Sequence, residues 1–364
     1  MSNGDPTKRG HAAPIAVSVI IPAHQAAGFV HEAIHSALAQ TRKDIEVVVV
    51  DDGSSDGTWD EIVACASHDA RVVPVRRPCR GGPSAARNAG IERAQGKWLA
   101  VLDADDLYLP HRLEHMITTA EALDADLLAD NMLQVDFASG ELLGKRFRDA
   151  AMNCGGPIRL IEALRRDMPG RSAHGEMFGI FQPLIRREFL LAHGIRYAEN
   201  VLVGEDFLLY FECIARGGRF HLTRSAHYVQ RLRCGSHSTR REAMLHLSAA
   251  GQQMLRIAAQ LRDPELTALL RRRQRHIDID CFSLLLDRGQ LGAALRHAHC
   301  GSPARLLRHA RAVVGATRRG FHARASMTSS AASPAQNAEA AAPRPAFPHG
   351  LGVEPRSDAP KRAA

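Results

Sequence analysis

The sequence predicts an α/β fold with a mostly parallel sheet, and three observations carry that prediction. Short apolar runs alternate with stretches of helical periodicity through the first third of the chain, the pattern of βαβ crossovers. The runs at residues 45–50 and 98–102 are apolar almost without alternation, as in strands covered on both faces. Each of these two runs ends in acids, Asp51-Asp52 after the first and Asp103-Ala104-Asp105-Asp106 after the second. Ligands of open parallel sheets bind at the carboxyl ends of strands, so the acids mark one candidate edge.

Taken in order, residues 17–21 read as the first strand, which Pro22 ends. A helix over residues 31–40 has Ala33, Ile34, Ala37 and Leu38 at helical spacing. The strand at 45–50 stops at the turn-rich Asp51-Asp52-Gly53-Ser54-Ser55-Asp56-Gly57, which leads into a helix at 58–66. A short strand at 71–75, a Gly- and Pro-rich loop and a helix at 84–94 precede the strand at 98–102. Beyond these the reading is a helix at 110–123, a strand at 127–135, and a hairpin arm at 141–147 across Ala138-Ser139-Gly140. Helices follow at 158–166, 186–193 and 206–216, with two strands at 219–222 and 227–233. Residues 240–299 read as mostly helical, broken at Pro264 and Gly289, and 321–364 is an Ala-, Pro- and Ser-rich tail expected to be disordered.

Composition bounds the function classes. Apolar residues make up 45% and charged residues 24% of 364, the balance of a globular chain with material for one large core plus appendages. No run is long enough to span a bilayer, and the amino terminus lacks the apolar block of a secretory signal, so a cytoplasmic location is expected. Seven cysteines without a Cys-x-x-Cys pair argue against a disulfide framework or a structural zinc site. The nineteen histidines are read as offering no His-x-x-x-His pair with a Glu on an apolar helix face; His174 and His237 are polar-loop residues or members of the site. A net charge of +8 favours an anionic partner without naming one.

The acids carry the chemistry. Asp103, Asp105 and Asp106 fall within four residues and repel one another, which suits a resident cation; oxygen-only donors match Mg²⁺ or Mn²⁺. The other reading is an acidic turn that caps the next helix. Asp52 is placed to accept hydrogen bonds from a nucleobase or ribose, or to form an Asx turn. The loop Gly81-Gly82-Pro83-Ser84-Ala85-Ala86-Arg87-Asn88 runs into a helix amino terminus but has neither a Walker nor a dinucleotide glycine pattern. Arg87, one turn into that helix, gains nothing from the helix dipole, so a base carbonyl or one of the site's acids is its expected partner, with a solvated side chain as the alternative. Glu205-Asp206 reads either as dipole compensation at a helix start or as catalytic.

Val17-Ser-Val-Ile-Ile-Pro-Ala23, Val49-Val-Asp-Asp-Gly-Ser-Ser-Asp-Gly-Thr58, Gly82-Pro-Ser-Ala-Ala-Arg-Asn-Ala-Gly-Ile91 and Gly96-Lys-Trp-Leu-Ala-Val-Leu-Asp-Ala-Asp-Asp106 resemble, in order and spacing, the family 2 glycosyltransferases with the GT-A fold. The resemblance implies a Rossmann-like nucleotide-diphospho-sugar transferase domain at residues 16–240, with a nucleotide-sugar half at 16–123 and an acceptor half at 124–240. A tail at 1–15, a helical basic extension at 241–320 and a second tail at 321–364 surround it.

What the resemblance implies falls on named positions. Asp52 would bind the base of a sugar nucleotide with Arg87 beside it, Asp103 would face the ribose, and Asp105 with Asp106 would ligate Mn²⁺ or Mg²⁺. Pro22 and His24 stand in the family's Pro-x-Tyr-Asn segment, where His24 replaces the aromatic residue and would stack on the base. Asp206, beside Glu205, would be the catalytic base of an inverting transfer to an acceptor hydroxyl. Arg231 and Arg233, in a loop similar to the family's Arg-x-Arg-x-Gly-Ser-x-Ser, would meet the diphosphate, or be solvated arginines on an edge strand. Processive members carry Gln-x-x-Arg-Trp there; Cys234 in place of that Trp implies transfer of a single sugar.

The run from Gly179 to Tyr197 resembles bacterial enzymes that extend lipid-linked exopolysaccharide units of the succinoglycan type. A glycan or lipid-linked acceptor is thereby implied, and no nucleic-acid partner. The basic amphipathic stretch within 304–319 either meets the anionic inner face of the plasma membrane or packs on the catalytic domain. Alternative functions are a sugar-phosphate nucleotidyltransferase, which would need a glycine-rich basic loop after the first strand, and a non-catalytic nucleotide-sugar-binding scaffold. A receiver domain would need about a third of this length.

Overall fold

The computed structural model describes residues 14–152, 155–168, 178–233, 243–290 and 292–294. Four strands, β1 (Val17–Ala23), β2 (Ile45–Asp52), β3 (Val72–Arg77) and β4 (Trp98–Val101), alternate with α1 (Val30–Leu38), α2 (Thr58–His68) and α3 (Pro83–Arg93). They are parallel neighbours in the order β3-β2-β1-β4, and β1, β2 and β4 are buried almost throughout, as strands covered by helices on both faces are.

The chain continues through β5 (Leu107–Tyr108), α4 (Arg112–Ala122), β6 (Leu127–Asp136), β7 (Leu142–Lys145), α5 (Leu160–Arg166), a 3₁₀ turn (Phe178–Ile180), β8 (Leu184–Arg186), α6 (Arg187–His193), α7 (Glu205–Ala215), β9 (Phe220–Leu232), α8 (Ala243–Leu261) and α9 (Pro264–Asp287). One nine-stranded sheet results, extended from β4 by β8-β6-β9-β5, with β7 beside β6. The parallel run ends at β4: β8 is antiparallel to β4 and β6, and β5 to β9, whereas β9 runs parallel to β6.

Three boundaries differ from the sequence reading. Pro22 lies inside β1 and pairs with Val50. Because β4 leaves the ladder at Ile20–Val101, the end of β1 has one unpaired side, where the missing proline N–H costs little. The two strands expected at 219–222 and 227–233 are the single strand β9, irregular in register opposite Ala129–Met132. Strands β5 and β8 have two and three residues, too few for any periodicity to announce them.

Side-chain alternation divides the core between the two faces of the sheet. Ile20 and Leu99 face α7 and the aromatic cluster of Phe178, Phe207 and Phe211; Val19, Ile21, Trp98 and Ala100 face α1 and α4. The helices after residue 243 share the first of these cores, since Ala250, Met254, Leu266 and Leu270 pack in it, and Arg273 pairs with Asp167 at 2.6 Å. No described helix is long and apolar enough to cross a membrane. The segments 1–13, 153–154, 169–177, 234–242, 291 and 295–364 lie outside the described residues, and with them the 304–319 stretch, all but the last two residues of the tail at 1–15, the tail at 321–364, His174, Cys234 and His237.

Candidate active site

Parallel pairing of β1, β2 and β4 carries their carboxyl ends to one edge of the sheet, with Ala23 beside Asp51 and the Leu102 N–H donating to Ile20 O at 3.0 Å. His24, Asp52 and the Asp103–Asp106 turn therefore leave the sheet on the same side. Gly53 turns the chain after Asp52 at φ +69°, and a Cβ there would lie 2.8 Å from the backbone nitrogen of Arg80, so only glycine lets the two loops approach.

Asp52 is engaged by three donors from the neighbouring loop and strand. Its buried carboxylate accepts from the N–H groups of Gly81 (3.0 Å) and Gly82 (2.7 Å) and is paired with Arg77. His24 Nδ1 lies 3.0 Å from the Asp52 carbonyl oxygen. Asp52 thus anchors the glycine loop that starts α3, and Pro22 and His24 line the same strand ends.

From α3 the Arg87 side chain reaches the centre of the site, with only 5% of it exposed. It donates to Glu205 Oε1 at 2.9 Å and to Asp103 Oδ1 at 3.2 Å, and Nη1 lies 3.4 Å from Asp206 Oδ1. Burial works against the charged guanidinium, but Asp206, Asp103 and Glu205 together hold it well above its ordinary range, so Arg87 is a permanent cation among three acids. Three acids, Glu205, Asp103 and Asp206, thus surround the Arg87 guanidinium. The tyrosine ring of Tyr197 packs on the guanidinium at 5.3 Å.

The rest of α3 docks the segment before α7. Asn88 exchanges hydrogen bonds with the Tyr197 backbone, both at 3.0 Å, and Ser84 donates to Val201 O at 3.2 Å. These bonds fix the segment that leads through Gly204, at φ +85°, into α7. Glu205 and Asp206 occupy its first turn, where the helix dipole favours carboxylates. Asp206 Oδ1 is nevertheless buried without a hydrogen bond, as are the Tyr197 hydroxyl and Gln182 Oε1. Burial, only partly opposed by Arg87 and reinforced by Glu205 and Asp103, pushes the Asp206 carboxyl up to about 8.

The three acids after β4 have different surroundings. Asp103 accepts from Arg87 and from Gln182 Nε2 at 3.1 Å. Asp106 is buried, its oxygens engaged by the Tyr228 hydroxyl (2.7 Å) and the Arg231 N–H (2.8 Å), which tie the turn to β9. Asp105 stays partly open, 27% exposed, with the Arg233 guanidinium 3.1 Å from Oδ2. Burial and the neighbouring Asp103 raise the Asp105 carboxyl, and burial with Asp105 and Asp103 raises Asp106 well above its usual range. Oxygen donors of this kind suit a hard divalent cation, and Asp105 is the carboxylate of the three that stays partly open with only an exposed arginine beside it. Asp106, named beside it as a ligand, is held internally.

The two arginines of β9 also part ways. Arg231 is buried, paired with Glu32 of α1, and donates through Nε to Asp105 O; its charge is already matched. Arg233 is exposed, over the Phe29 ring and against Asp105. His31-Glu32-Ala33-Ile34-His35 on α1 is a His-Glu-x-x-His run, legible from its spacing alone and contrary to the reading that the histidines offer none.

Comparison with known proteins agrees with this architecture. The profile of Glycosyl transferase family 2 matches residues 18–179. Succinoglycan biosynthesis protein ExoO of Rhizobium meliloti (strain 1021) is 36% identical over 220 residues, 60% of this chain but only 62% of that protein, so under two thirds of its length is spanned. ExoU, a second succinoglycan biosynthesis protein of the same organism, is 34% identical over 270 residues, 73% of this chain and 76% of its own. The crystal structure of S. aureus TarS 1-349 superposes with a TM-score of 0.60 at 18% identity, over 84% of this chain and 92% of that one, a likeness of fold. With the profile over the parallel half and a relative aligned along most of both chains, the chain belongs to glycosyl transferase family 2.

Proposed function

We propose that this glycosyltransferase moves one sugar, with inversion, from a nucleotide sugar to a hydroxyl of a growing, lipid-linked cell-surface polysaccharide. The observation that carries the reading is the meeting of Arg87 with Asp103, Glu205 and Asp206, residues from both halves of the chain. In its ionised form Asp206, with Oδ1 free of hydrogen bonds, takes the proton of the acceptor hydroxyl as that oxygen attacks the anomeric carbon. Attack comes from the face opposite the nucleotide, which inverts the centre.

Arg87 holds Asp206 and Glu205 in place and limits the proton affinity of the base. Asp103 faces the ribose, and His24, Pro22 and Asp52 form the base end, where Asp52 acts by holding the glycine loop. Arg233 turns toward the diphosphate, while Arg231 supports the Asp105 turn from behind. When Mg²⁺ or Mn²⁺ is bound at Asp105, it supplies positive charge to the departing diphosphate.

A sugar-nucleotide donor is supported by the TarS 1-349 crystal structures in complex with UDP and with UDP-GlcNAc, whose folds this chain shares. Polysaccharide as acceptor is supported by the succinoglycan relatives. We place the enzyme in the cytoplasm, at the inner face of the membrane, with the basic stretch 304–319 against anionic lipid. Incubation with a panel of sugar nucleotides and Mn²⁺, followed through nucleotide release, tests the reading. One donor should be hydrolysed slowly alone and faster with lipid-linked glycan; release from none of them, by folded protein, would refute it.

A further inference from the structure

A second group of donor atoms lies on α1 and α2. His31 and His35, one turn apart on α1, present their rings 4.1 Å from each other at a tilt of 40°. Cys65 of α2, buried and outside any disulfide, faces them. One nitrogen of each ring and the Cys65 Sγ all lie within 4.8 Å of one another. A tetrahedral zinc-class ion, with Zn–N of about 2.1 Å and Zn–S of about 2.3 Å, sets its donors roughly 3.4–3.6 Å apart, within reach of small rotations of two exposed imidazoles.

The surroundings favour a cation. Glu61, one turn before Cys65, accepts from the Gly28 N–H at 2.8 Å through one oxygen, and its other oxygen is buried without a partner. Asp69 is a further acid acting on His35.

We propose that His31, His35 and Cys65 form a binding site for a borderline-soft divalent cation of the zinc class, separate from the oxygen-lined position at Asp105. Two imidazoles and a thiolate select against Mg²⁺. On binding, a metal–sulfur bond replaces the S–H bond and one proton goes to solvent. The site holds an ion and does not hydrolyse: Glu32, the residue that would act as base in a His-Glu-x-x-His enzyme, is paired with Arg231. Joining α1 to α2 would stiffen the helix whose Glu32 supports Arg231 and, through it, the Asp105 turn.

Titration of the full chain with Co²⁺ tests this, because thiolate ligation gives a near-ultraviolet charge-transfer band that oxygen ligands do not. The band should appear with one ion per chain, vanish in Cys65→Ser, persist in Asp105→Ala, and need on the order of tenfold more Co²⁺ in His31→Ala or His35→Ala. Either exposed histidine keeps the test valid if Cys65→Ser fails to fold. Absence of the band from the folded wild type, its survival in Cys65→Ser, or unchanged affinity in both histidine variants would overturn the site.

Discussion

Arg87 Nη1 lies 3.4 Å from Asp206 Oδ1 yet gives its hydrogen bond to Glu205, at 2.9 Å. Asp206 is therefore held electrostatically, its buried Oδ1 outside any hydrogen bond, and burial keeps its proton affinity high. The proposed role of Asp206 as the base rests on this placement.

Asp206→Asn keeps shape and removes basicity. Transfer should fall by about 10²- to 10⁴-fold, the usual worth of a general base, with donor affinity by calorimetry unchanged within a few-fold. Transfer at the wild-type rate would remove Asp206 from the mechanism.

The pH profile has a definite sign. A base with its carboxyl near 8 is mostly protonated below that pH, so kcat/KM should rise about tenfold per pH unit and level off above about 8. Arg87→Gln, which removes a charge favouring the ionised form, should move this limb to higher pH. Since the folded carboxyl lies above its unfolded range, the stability contributed by this group is present at low pH and is lost as pH rises toward about 8. Rates independent of pH in this window would contradict the assignment.

Asp105 and Asp106 should separate by readout. Asp105→Ala should abolish Mn²⁺-dependent donor binding with little change in melting temperature. Asp106→Ala leaves the Tyr228 O–H and the Arg231 N–H without their acceptor and should cost about 1–3 kcal/mol of stability, read from denaturant unfolding. Equal metal affinity in Asp105→Ala and wild type would refute the ligand role.

Arg112 is wholly buried against Asp130, at 2.8 Å, between the rings of Tyr108 and Tyr228. Arg112→Met strands the Asp130 charge and should cost about 3–5 kcal/mol, with much of this recovered on adding Asp130→Leu. Denaturant curves of the three variants check it; additive losses would mean that the two side chains are not energetically coupled.

The amino-acid sequence by itself determined the parallel strands, the helices between them and the edge that collects the acids, because continuous apolar runs ending in Asp and Gly depend on local periodicity and turn chemistry. Tertiary structure alone decided which acids are available. Asp105 and Asp106 are neighbours of one type, but Asp106 meets Tyr228 and Arg231 across more than a hundred residues, and Asp105 meets solvent and Arg233. The same holds for Arg231 and Arg233, two residues apart on one strand, and for the third donor that Cys65 adds to His31 and His35. Burial and long-range pairing set the charge and freedom of each side chain, and neither is written in the residues beside it.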